Sequence, residues 1–150
     1  MKIKLQKIGI MALAILLCGG MAIAAPARQA TLSKMSGEVL VRQNQQDWQP
    51  AAPGMVLHAG DEIKTSKGAT AEVIFDNGEV GSVKVAPKSV FKIGTMDVNG
   101  ATGDKATLLE LAIGKVMVHA EKLHGASKFE VETPTATTGV RGTLFEVTVE

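Results

Sequence analysis

The chain has 150 residues, room for one domain or for one domain and a targeting segment. Sixteen basic and 15 acidic residues nearly cancel, and the aromatic complement is one Trp, four Phe and no Tyr. Such a chain lacks both the basic face and the stacking surface of a nucleic-acid-binding protein, so that class is excluded.

Lys2, Lys4 and Lys7 precede an apolar run from Ile8 to Leu17, and the small residues GGMAIAAPA follow. This is the order of a secretory signal at residues 1–24, with Ala22 and Ala24 fitting the A-x-A rule and Ala25 as the expected mature N-terminus. An uncleaved anchor over Ile8–Ala25 ranks second, because Gly9, Gly19 and Gly20 make a poor span, and, lipidation aside, it offers the only route by which this chain would touch a membrane. A lipidated Cys18 ranks third, since bulky Leu17 precedes it where that processing wants a small residue. Cleavage would remove the only Cys and three Lys, taking Lys plus Arg from 16 to 13 against 15 acidic residues, a net of −2. The exported domain, residues 25–150, would then rely on its apolar core without a disulfide.

From there the sequence alternates. GEVLVRQ carries Val39 and Val41 on one face, and AEVIFDNGEV carries Ala71, Val73 and Phe75, ending at Asp76-Asn77-Gly78, a hairpin signal because Asn-Gly accepts positive φ. Val83 and Val85 form the next segment and Val90, Phe91 and Ile93 another. Asn99-Gly100 opens a second turn, in which Asp97, Asn99 and Asp104 echo a calcium loop but lack its closing Glu. Residues 106–125 have helix-favouring Leu, Ala, Glu and Lys, yet Val116 and Val118 keep period two, and Gly114 reads as a bend between strands. FEVE and GTLFEVTVE close the chain. Nine or ten short strands at 8 to 12 residue spacing imply an all-β single domain, either a two-sheet sandwich, ranked slightly ahead, or a solenoid-like β-coil. An internal echo between Gly37-Glu38-Val39-Leu40-Val41 and Gly114-Lys115-Val116-Met117-Val118 fits such a layered arrangement.

The succession GEVLV, Trp48, PGMVLHAGDEIKTSKGATAEVIFDNG, LLELAIGKVMV and FEVETPTATTGVRGTLFEV resembles the FecR domain over residues 31 to 149. Gly60 to Thr65 and Thr138 to Thr143 are the most specific stretches. The resemblance implies an envelope compartment. Its signalling members are anti-sigma regulators with a cytoplasmic helical module, one membrane span and this domain in the periplasm. Only the short Met1–Lys7 stretch stands before Ile8 here, so the likeness is to the stand-alone exported versions.

Thr133-Pro134 ends a strand in this reading, because Pro cannot donate to a ladder, and PTATTG becomes a loop of the kind that carries binding residues. The expected binding segment is Thr133, Pro134, Thr137, Thr138, Arg141 and Thr143. There the Arg141 guanidinium would hold a carboxylate or sugar acid, or else, the favoured role, tie loop carbonyls together. Trp48 is read as a core anchor ahead of a glycan platform, and Asp61 as a turn cap. No two of His58, His119 and His124 have a metal-ligand spacing, and no cofactor is implied. Glu72, Glu110, Glu130, Glu132 and Glu146 alternate with apolar residues as on a solvated sheet face, and no nucleophile motif is present, so no catalytic residue is assigned. The expectation is a periplasmic or secreted non-catalytic binding or sensing module, partnered by an envelope protein or a peptidoglycan saccharide. An assembly component of an envelope or secretion machine is the alternative, and a hydrolase ranks last.

Overall fold

The computed structural model describes residues 27–140 and 142–150. The expected signal and mature N-terminus, and Arg141, lie outside the described residues. The described chain is all-β: one strongly curled sheet with a single short 3-10 turn at Asp76–Gly78.

The strands are β1 (Ala30–Ser36), β2 (Val39–Arg42), β3 (Gln49–Pro50), β4 (Val56–Leu57), β5 (Glu62–Thr65) and β6 (Thr70–Phe75). They continue as β7 (Gly81–Val85), β8 (Val90–Val98), β9 (Lys105–Ala120), β10 (Lys128–Glu132), β11 (Thr137–Val140) and β12 (Leu144–Val149). Hydrogen bonding runs unbroken through β3-β2-β5-β8-β9-β7-β6-β1-β4. β10 pairs in parallel with the first part of β9, β11 pairs with β10, and β12 pairs antiparallel with the second part of β9. Twelve strands form where nine or ten were expected, and 16-residue β9 is far from short.

Alternation determines what is buried. Leu32, Val73, Phe75, Val83, Val116 and Val118 from one half of the sheet meet Val41, Ile63, Phe91, Ile93, Leu109, Leu111, Phe129 and Val131 from the other in one core. Phe75 and Phe129 join the halves edge to face, 5.6 Å between centroids. Such a pair contributes about 1 kcal/mol beyond the area it buries.

The chain crosses between halves along one rim: at Gly37 from β1 to β2, at Ser66–Ala69 from β5 to β6, at Ala86–Ser89 from β7 to β8, and at Gly114 within β9. Neighbouring corners bond to each other. Ser66 N donates to Glu38 O (3.1 Å), Lys88 N to Ser66 O (3.3 Å) and Ala86 N to Lys115 O (2.9 Å). The Thr65 hydroxyl donates to Ala86 O at 2.6 Å, and Lys115 N donates to the Ser89 hydroxyl at 3.0 Å. Thus the two architectures expected from sequence merge, since the layers are those of a sandwich while the path through them coils. The echo between Gly37 and Gly114 also has a physical basis, because both are corner residues. Gly37 (φ 74) packs on the Ala69 backbone, and Gly114 (φ 97) lies against Ser89, whose hydroxyl a Cβ would strike.

The opposite rim is closed by Arg28, whose side chain is 4% exposed. Its guanidinium donates to Asp76 Oδ2 (2.8 Å from Nε), to Asp97 O (2.9 Å), to Ala106 O (2.7 Å) and to Thr107 Oγ1 (2.8 Å). One residue thereby ties the β6–β7 turn of one half to β8 and β9 of the other. Nearby, Lys105 bonds Glu79 at 2.7 Å, and that hydrogen bond and charge hold the Glu79 carboxyl below its ordinary value.

Gly114→Ala is expected to lower the unfolding free energy by about 3 kcal/mol or more, through strain at positive φ and collision with Ser89. Arg28→Ala should cost about 3–5 kcal/mol, because the Asp97 and Ala106 carbonyls and the Thr107 hydroxyl lose their donor and Asp76 is left with Lys105 alone, 3.9 Å away. Urea unfolding followed by circular dichroism measures both. A lowered pKa stabilises the fold at pH above the ordinary carboxylate range, and that contribution disappears as pH falls through the lowered value. Lys105→Met should therefore bring the Glu79 titration, followed by NMR, back up toward 4.5.

Candidate functional site

Thr133 does not open a long loop. It closes a tight turn, its N–H donating to Ala136 O at 2.7 Å and its hydroxyl accepting from Ala136 N at 3.1 Å. Thr137 and Thr138, expected in the PTATTG loop, belong instead to β11, where they pair with Glu132 and Val131. Sequence reasoning stopped the β structure at Pro134. The chain reverses there and pairs again at once, because β10 carries a free edge. Thr137 and Thr138 point to opposite faces of β11. Thr143 lies at the far rim, its carbonyl accepting from Ala120 N at 3.1 Å. A β11 of four residues, roughly 13 Å at about 3.3 Å each, separates it from Thr133. The expected segment therefore divides between two rims, with Thr133 and Pro134 together at one, and Thr143 at the other.

Thr133 and Pro134 do border a groove of about 600 Å³ with Glu62, Lys92, Glu110 and Glu132. Within it Lys92 pairs with Glu110 at 3.2 Å, and Glu62 is held from outside the groove by Arg42 at 2.6 Å. Glu72, Glu130 and Glu146 likewise sit beside Lys34, Lys128 and Lys115. These carboxylates form the solvated, lysine-paired outer face that alternation implied. Among the described residues no three His, Cys, Asp or Glu side chains group as a metal site would.

Trp48 corrects its expected role. It is half-buried and outside the core, with the Arg42 guanidinium 4.9 Å from its ring centroid and Lys64 Nζ at 6.0 Å. Arg42 and Lys64 escaped notice as a pair, although Arg42 next to inward Val41 and Lys64 next to inward Ile63 could both have been placed on the outer face by period two. Asp61 is a cap as expected, 1% exposed, its carboxylate accepting from His58 N at 2.9 Å and Asn44 N at 3.3 Å. The Asp97 to Asp104 segment is a hairpin loop in which Asn99 and Asp104 spend their oxygens on neighbouring amides and on Thr102.

The last feature is an open edge. β3 and β4 end the sheet at one side with two residues each. At the other side β12 presents six residues and, among the described residues, pairs only with β9. The Ala120 to Thr143 bond sets its phase: Phe145, Val147 and Val149 bond toward β9, leaving the N–H groups of Leu144, Glu146 and Thr148 directed outward. Phe145, Val147 and Val149 only half-cover the end of the core, and Leu144 is 64% exposed.

Comparison with curated proteins returns no match, and comparison with solved structures returns none. The sequence does match the family described as FecR protein over residues 61–150, more than half of the chain, beginning just before β5 and running through β12. The chain therefore belongs to the FecR family, a generally non-catalytic family typical of transmembrane signalling and anti-sigma regulation.

Proposed function

We propose that this chain is a non-catalytic binding or sensing module of the bacterial periplasm that takes an extended segment of an envelope protein onto the edge of β12. The observation that carries the reading is that edge: six residues long, with three outward N–H groups and a half-covered apolar inner face. Unpaired strand edges recruit further strands, main-chain bonds supplying affinity and alternate side chains specificity. The periplasmic setting is supported by the signal-like order of residues 2–25 and by the signalling character of the family. The absence of an assigned catalytic role is supported by the family's character and by outer-face carboxylates paired with lysines.

The same edge also supports the assembly reading, in which the added strand comes from another copy of the chain. Thr148→Pro separates these possibilities from a merely structural edge. Its N–H points away from β9, so the substitution removes an outward donor while keeping the β9 ladder, and stability should change by no more than about 0.5 kcal/mol. The exported, tagged chain should capture a defined envelope protein from solubilised membranes, and Thr148→Pro should reduce that capture about tenfold. A concentration-dependent oligomer abolished by Thr148→Pro would support assembly instead. Equal capture by both chains would contradict the use of this edge.

A further inference from the structure

Three features meet around Trp48. The ring is half-exposed on an outer sheet face although it is the largest apolar side chain available. Arg42, held against it, keeps its Nε buried without a hydrogen-bond partner among the described residues. Asn44 and Gln45, at φ 50° and 59°, are the central pair of a tight turn closed by Gln46 N donating to Gln43 O at 3.0 Å, the type I′ geometry of a two-residue loop. An unmet buried donor persists where surrounding structure enforces it. The enforcement here is visible. Buried Asp61 accepts from Asn44 N and from Gln43 Nε2, each at 3.3 Å, while Gln43 also donates to Val56 O at 3.0 Å. The loop is fixed in shape while its side chains remain exposed.

Those side chains have one chemistry in common. Gln45, Gln46, Asp47, Trp48 and Gln49 line a hollow of about 460 Å³. Each amide both donates and accepts, the carboxylate accepts, and the indole supplies a flat apolar surface. Arg42 beside the ring is paired with Glu62, and of the five residues that line the hollow only Asp47 carries a charge. A ligand suited to this site has a ring face to stack, hydroxyls that donate and accept, and no net charge. The geometry points to an uncharged saccharide bound at Trp48. The inference deepens the binding-module reading, yet the site lies ahead of the family-matched residues and at the other end of the sheet from β12.

Because the chain has one Trp and no Tyr, its intrinsic fluorescence reports on Trp48 alone. The chain would be titrated with cellotetraose, with the tetramer of N-acetylglucosamine and with tetragalacturonate. A saturable spectral shift is expected with at least one neutral sugar, the two arms telling plain hexose from N-acetylated hexose. The acidic tetramer should bind at least about tenfold more weakly. Gln46→Ala and Asp47→Ala should each weaken binding about fivefold, the loss of one hydrogen bond, with unchanged circular dichroism. Thr148→Pro should titrate like the parent, so failure of capture at β12 and failure at Trp48 are separately visible. No saturable shift with any sugar up to about 10 mM would overturn the proposal. Tighter binding of the acidic tetramer, or insensitivity to both substitutions, would overturn it equally.

Discussion

The fold depends on how closely the backbone packs at one rim. Four crossings between the halves are stacked there, and at Gly37 and Gly114 the neighbouring corner comes so near that a side chain has no place. The constraint is local, yet it sets the global shape. Because β9 bends at Gly114 without breaking, its first part carries β8 and β10 while its second carries β7 and β12, and a single hydrogen-bonded sheet becomes two facing layers. Thr65 and Ser89 serve the same rim by giving their hydroxyls to backbone groups that the turns leave over.

The far rim is closed differently. There the guanidinium of Arg28 bridges the layers through one carboxylate, two carbonyls and a hydroxyl. A buried cation is tolerable because its donors are met, and for the same reason its removal would be costly. Closure by corners on one side and by Arg28 on the other leaves the ends of the sheet. Strands β3 and β4 are too short to invite pairing, and β11, which pairs only with β10 among the described residues, offers four residues where β12 offers six.

Much of this was legible in the residues. Period-two alternation located the inward sets of β2, β6, β7 and β12, Asn77-Gly78 and Asn99-Gly100 marked their turns, and Gly114 inside a Val-rich run signalled a bend. What stayed hidden depends on neighbours remote in sequence. β11 was missed because Pro134 looks like an end, and only the free edge of β10 makes Thr137–Val140 pair. Its turn and Thr143 consequently fell at opposite rims, so the expected contact segment did not become one patch. Trp48 was assigned to the core by residue type. Its position follows instead from the outward phase of Arg42 and Lys64, which a local pattern indicates only once the strand pairing is known. Arg28, with no periodic signature at all, was invisible as a keystone.

Among the described residues β12 offers an unoccupied ladder. Residue-resolved hydrogen exchange of the native chain tests it directly. The account predicts alternation along the strand, with the amides of Phe145, Val147 and Val149 protected by β9 and those of Leu144, Glu146 and Thr148 exchanging freely. Uniform protection of all six in the isolated chain would contradict it, because the edge would then already be covered.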